Sequence, residues 1–205
     1  MRVDEELRRN VVKAVQEIER GSSAEVVVTI VPRSATHWDL ALAVALATAL
    51  LVQVAVAAVF PDTSALHVAI DSALLAGVAA GLARWSAPVE RLLLPGRLAA
   101  RRVEAGAESA FCRQGIFRTR AHTGVLVYLS LLERRVVLLP DDEIIRALPP
   151  EALAALRAQA AGLLREPDPA RALLALLDLF RRLLARHLPA ASDDVNELPD
   201  APVTG

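Results

Sequence analysis

The chain has 205 residues, of which 54% are hydrophobic and only 3% aromatic, and its formal net charge is −1. That balance excludes a nucleic-acid binder, which would carry a basic excess. The single cysteine, Cys112, excludes an internal disulfide and any Cys-based zinc site, and it fits a reducing cytosol. With so few rings, the core must be built from Leu, Val and Ala.

Residues 4–20 place Leu7, Val11, Val12, Val15 and Ile18 at helical spacing, with Asp4 as N-cap and Gly21 as the stop. This charged, amphipathic start does not read as a signal peptide. Residues 24–31, AEVVVTIV, form a β-branched run bounded by Ser22-Ser23 and Pro32. Such a run predicts a strand buried on both faces. It has no neighbour in 1–36 and must pair with strands further along the chain.

Two apolar runs follow. Leu40 to Phe60 carries no formal charge and holds only Thr48 and Gln53 as polar side chains. A helix needs about 20 such residues to cross the hydrocarbon core. Pro61-Asp62-Thr63-Ser64 turns the chain, and a second run from Ala65 to Ala83 is broken only by His67, Asp71 and Ser72. The segment 37–86 therefore predicts a transmembrane helical hairpin; the alternative is a pair of buried helices in a soluble core.

Trp38 and Trp85 flank the hairpin at mirror positions, where indole rings prefer the headgroup level. The loop carries no Lys or Arg, whereas Arg2, Arg8, Arg9, Lys13, Arg20 and Arg33 precede the hairpin, and Arg84, Arg91, Arg97, Arg101 and Arg102 follow it. Positive charge stays inside, so the expected topology is a two-pass membrane protein with both termini cytoplasmic. Ionisable groups within the bilayer are costly, which singles out Asp71 and, opposite it on the first span, Gln53. Ala73, Gly77 and Gly81 form a small-residue stripe that permits close helix contact. If Asp71 turns inward to Gln53, the stripe faces outward. The expected partners are then the lipid bilayer and another membrane protein or a second copy of the chain.

Pro95-Gly96 marks a boundary, and 97–114 reads as a helix with Leu98, Val103, Ala107, Ala110 and Phe111 inward. Residues 123–130 and 133–139 are two strands with a tight turn near Leu131-Leu132. Short helices are predicted over Asp141–Leu148 and Glu151–Leu164, and a longer one, capped by Asp168, runs to His187. The second part of the soluble domain thus spans 96–188. Residues 189–205 hold only acidic charges (Asp193, Asp194, Glu197, Asp200) and predict a disordered tail.

Asp141, Asp142 and Glu143 follow a strand and open a helix, so Asp141 and Asp142 are candidates to hold Mg²⁺ or Ca²⁺ through oxygen ligands. The competing reading is N-capping, where acidic groups complement the helix dipole. Glu133, Arg134 and Arg135 sit at a strand turn; they either pair with one another, bind a phosphate through Arg, or form a solvated turn. His37 and His122 are single loop histidines without partners at ligand spacing, and His187 ends the last helix, where a cation suits the dipole. The sequence has no Gly-rich phosphate loop, no Ser-His-Asp pattern and no cysteine motif.

Ala105-Gly106-Ala107-Glu108-Ser109-Ala110-Phe111, then Gly115 to Arg120, then Thr123-Gly124-Val125-Leu126 through Ser130-Leu131-Leu132-Glu133-Arg134-Arg135-Val136, resemble the TPM domain family, and more narrowly its bacterial membrane-bound branch. Ala24 to Val28 is similar to that family's first strand. The resemblance implies a three-layer α/β/α fold with a small mixed sheet, here interrupted by the hairpin. It also implies either an accessory or protein-interaction module or, alternatively, a membrane-tethered, divalent-metal-dependent phosphatase of weak activity. The chain departs from the soluble, phosphatase-like members in two turns. Ala121-His122-Thr123-Gly124 stands where they show an Asn-Asn-Gly type turn, and Pro140-Asp141-Asp142-Glu143 stands where they show a Gly-rich acidic turn. The accessory reading follows from these departures.

Overall fold

The computed structural model describes residues 4–35, 38–190, 198 and 201–204. In chain order the elements are α1 (Glu5–Gly21), β1 (Glu25–Val31), α2 (Trp38–Val59), α3 (Ala65–Trp85), α4 (Ala87–Leu93), α5 (Gly96–Arg113), β2 (Gly124–Ser130), β3 (Arg135–Pro140), α6 (Asp142–Ala147), α7 (Pro150–Gly162), α8 (Pro169–His187) and β4 (Val203–Thr204), with single 3₁₀ turns at Ile116–Arg118 and Leu163–Arg165. The chain forms two compact units, Met1–Ser34 with Ala100–Gly205, and Ala35–Ala99.

The first unit is built on a mixed sheet in the order β3-β2-β1-β4. The predicted first strand finds its neighbour as expected: β1 pairs parallel with β2, from Glu25 opposite Gly124 to Val31 opposite Ser130. β2 pairs antiparallel with β3. Alternation across the pleat sends Val26, Val28 and Ile30, with Val125, Val127 and Leu129, into one core, which α1, α6, α7 and α8 cover through Val15, Ile144, Leu156 and Phe180. Val27, Leu126 and Tyr128 face the other side, where Val103, Ala107 and Ala110 of α5 and Ile116 pack on them. Apolar residues on both faces are why β1 and β2 are buried along their lengths. The result is a three-layer α/β/α arrangement.

Local signals explain the element ends. Leu7 N donates to Asp4 Oδ1 at 2.9 Å, and Arg171 N donates to Asp168 Oδ1 at 3.1 Å, so both predicted caps form. Gly106 lets α5 approach the sheet: a Cβ there would lie 2.8 Å from Tyr128 Oη.

Two expectations for this unit need correction. The turn between β2 and β3 is not a tight turn at Leu131-Leu132. It extends to Arg134, which takes the left-handed conformation at φ 50°, and β3 starts at Arg135. The tail is also not featureless. Val203 and Thr204 pair parallel with Thr29 and Ile30 of β1 as β4, and Leu198 N donates to Glu25 Oε2 at 3.2 Å. An open strand edge offers backbone partners to any segment that reaches it, which acidic composition does not reveal. The four acidic residues of the tail, Asp193, Asp194, Glu197 and Asp200, lie outside the described residues, as does His37.

The second unit contains α2 and α3, joined through Pro61–Ser64, and then α4. The side chains buried on the hairpin helices are small: Ala41, Ser72, Ala76 and Ala83. Small residues permit close helix packing, and Ser72 Oγ satisfies itself by donating to Val68 O at 2.6 Å. Helix α4 was not foreseen from the sequence. Pro88 supplies a preformed first turn, and Glu90 and Leu94 are its buried positions.

Candidate functional site

The first candidate lies where β3 ends and α6 begins. Asp141 N donates to Gly124 O at 2.8 Å, and Glu143 N donates to His122 O at 3.2 Å. These bonds bring the 119–124 turn against the α6 N-terminus. His122 takes φ 55°, a left-handed conformation that non-glycine residues rarely adopt, though His, with Asn and Asp, is among those that do so most often. Its Nδ1 lies 3.3 Å from Asp141 Oδ2, while Asp141 Oδ1 accepts from Asp142 N at 2.8 Å. His122 is therefore not solitary. Asp142 turns to solvent and to Arg146, 4.0 Å away, and Glu143 Oε2 accepts from Arg146 Nη1 at 3.1 Å.

The two aspartates thus commit their oxygens to different partners, Asp141 as cap and imidazole acceptor, Asp142 as an exposed ion pair. Among the described residues, no three or more His, Cys, Asp or Glu side chains come together as a metal-holding group. Asp141 acts as the N-cap of α6, with Asp142 and Glu143 in its first turn. Elsewhere on the surface, the Asp178 carboxyl on α8 is held below its ordinary value by a hydrogen bond from Arg181, with the Arg182 charge adding to it; this is a local ion cluster on one helix.

The second candidate is Glu133. Ser34 N donates to its Oε1 and Oε2 at 3.2 and 3.4 Å, and Ser130 Oγ donates to Oε2. Leu131 N and Leu132 N donate to Val31 O and Pro32 O at 3.0 and 2.9 Å. The Ser130–Glu133 turn is thus a clamp on the chain as it leaves β1. None of the readings of Glu133 as an Arg partner or a solvated turn anticipated this. The signal was available in part: a serine and a glutamate three apart at a strand end can hydrogen-bond each other, and the carboxylate has lone pairs left to accept a passing backbone N–H.

Within the second unit, Gln53 and Asp71 do not meet. Both stand exposed, Gln53 in a shallow groove with Phe60, Thr63 and Val68, and no hydrogen bond joins them among the described residues. The buried line Ser72–Ala76–Ala83 lies roughly 100–140° around α3 from Asp71, which is why Asp71 misses α2. Gly77 and Gly81 face open space, since a Cβ at either meets nothing within 4 Å. The Arg84 guanidinium stacks over the Trp38 ring at 3.9 Å, and Trp85 is 90% exposed.

The fold is similar to that of the BA42 protein from the psychrophilic bacterium Bizionia argentinensis, solved by NMR, with a TM-score of 0.61 at 15% identity over 100% of this chain and 97% of that one. At that identity the likeness concerns the fold alone. No family model and no curated protein matches the sequence.

Proposed function

We propose that the chain is a two-span protein of the bacterial inner membrane, both termini cytoplasmic, whose TPM-like unit acts as an accessory or interaction module. One observation carries the membrane reading. α2 and α3 are 22 and 21 residues long, yet none of the most apolar stretch of α2 and only 11% of that of α3 is buried. Core helices of a soluble protein would hide this surface. Here Leu46, Leu50, Leu51, Leu66, Leu74 and Val78 are all more than 60% exposed, a face that hydrocarbon accommodates and water does not. The accessory reading is supported by the carboxylates of Asp141 and Glu133, which serve as a cap and a backbone clamp.

The test uses the single native cysteine, which is exposed. In intact cells a membrane-impermeant maleimide should not label wild-type Cys112 and should label Thr63→Cys in a Cys112→Ser background. The reverse pattern inverts the topology, and labelling of neither residue in lysed cells removes the exposed-loop premise. The rival, a metal-dependent phosphatase, requires the purified protein to hydrolyse p-nitrophenyl phosphate only with Mg²⁺ and to lose that activity in Asp141→Asn/Asp142→Asn. The expected result is no Mg²⁺-dependent turnover and no cation-induced rise in melting temperature.

The open small-residue face of α3 fits a second copy of the chain. Gly77→Leu should shift the protein from dimer towards monomer in mild detergent while membrane insertion is retained, because Leu suits lipid but keeps helices apart. An unchanged stoichiometry would remove α3 from the interface.

A further inference from the structure

The apolar surface of the second unit does not end with the two spans. Immediately after α3, Ser86 breaks the helix in an extended conformation, and α4 starts in a new direction. On α4, Val89, Leu92 and Leu93 fall within roughly 100° of one another. They are 37%, 86% and 40% exposed, and Trp85 just before them is 90% exposed. Glu90 and Leu94, roughly 100–140° further round, are the buried positions, and Arg91 is exposed on the side away from the apolar stripe. In water, a seven-residue helix that turns outward two leucines, a valine and, at its entry, a tryptophan leaves a contiguous apolar stripe uncovered.

Resting on the membrane reading above, we propose that α4 is an interfacial helix that lies in the headgroup plane at the foot of the hairpin. Its Val89–Leu92–Leu93 stripe and Trp85 dip into the acyl boundary, and Arg91 faces the aqueous side. The occupant is a lipid surface. The apolar stripe continues the unburied apolar surface of α3, at the end of that helix where Arg84 and both indoles lie. Indole at the headgroup level, leucines on one face and arginine on the other are the chemistry that a bilayer boundary selects. The same residues would anchor α3 at a fixed depth, because Trp85 and Leu92 resist being drawn into water.

The test is spin-label accessibility on the full chain in a Cys112→Ser background, reconstituted in phosphatidylcholine vesicles containing phosphatidylglycerol. Labels are placed singly at Leu50, Arg91 and Leu92. At Leu50 and Leu92 oxygen should be the better relaxant, and at Arg91 the water-soluble nickel complex should be better, with several-fold less nickel accessibility at Leu92 than at Arg91. If Leu50 is shielded from nickel but Leu92 is as accessible to it as Arg91, the interfacial helix is wrong and the spanning hairpin stands. If Leu50 is itself open to nickel, both fall. If Leu92 is shielded from oxygen and nickel alike, protein rather than lipid covers the stripe, which also overturns the proposal.

Discussion

The fragment 96–188, which lacks residues 1–31, should be unable to fold as a soluble monomer. β1 is an interior strand, bonded to β2 on one side and β4 on the other, and residues 25–30 are all buried. The deletion also takes α1, whose Leu7, Val11, Val15 and Ile18 lie in the same core. With Val26, Val27, Val28 and Ile30, eight buried aliphatic side chains are lost. At about 1.5–3 kcal/mol each, their burial matches or exceeds the roughly 5–15 kcal/mol of net stability that a domain possesses. The loss strikes twice, because the β2 edge and the apolar face of α8, including Phe180 and Leu184, are then exposed to water. Gel filtration and a proton–nitrogen correlation spectrum decide the matter. A monomeric fragment with dispersed amide signals would show that β1 is dispensable, and the parallel pairing would then contribute little to the fold.

The same strand shows what the sequence made legible. A β-branched run with no possible neighbour nearby forces a long-range pairing, and a parallel sense follows for two strands joined by a crossover into which the hairpin is inserted; the register does not. Both hairpin helices and the caps at Asp4 and Asp168 were equally readable, because length, apolarity and capping chemistry are local properties. What escaped was set by tertiary partners. Glu133 looks like a surface residue of a turn, and only the return of Ser34 to it reveals the clamp. His122 looks isolated because Asp141 lies 19 positions away and arrives through the sheet. α4 hides in the sequence because its seven residues are too few for a periodicity to register, and Glu90 in their midst reads as solvent-facing. Depth along the span leaves the direction of Asp71 open, whereas the helix phase set by Ser72, Ala76 and Ala83 decides it.

Gly124→Ala should lower the stability of the sheet-containing unit by about 3 kcal/mol, the upper end for overpacking a core, and its melting temperature by roughly 10 °C. Gly124 opens β2, and here the glycine is required by space. A Cβ would stand 2.5 Å from Ile116 Cγ2 and 2.7 Å from Ile116 O. Neither atom can withdraw cheaply. The Ile116 side chain is fully buried against α5 and the sheet, and its carbonyl accepts from Thr119 Oγ1 within the 3₁₀ turn. Shortening the side chain does not cure the clash, so Ile116→Ala should fail to rescue Gly124→Ala; it leaves the carbonyl in place and adds a cavity worth about 2–4 kcal/mol. Gly162→Ala is the control, because its Cβ meets nothing within 4 Å and should be tolerated or slightly stabilising. The displacement has a second reporter. Gly124 O accepts from Asp141 N at 2.8 Å, so moving the start of β2 pulls on the α6 cap and on the His122–Asp141 contact. The imidazole resonances of His122 should therefore shift in Gly124→Ala and stay in place in Gly162→Ala. If Gly124→Ala melts with the wild type and leaves His122 undisturbed, the 116–124 segment is free to move, and the Thr-Gly-Val motif is not held by the close approach of Ile116.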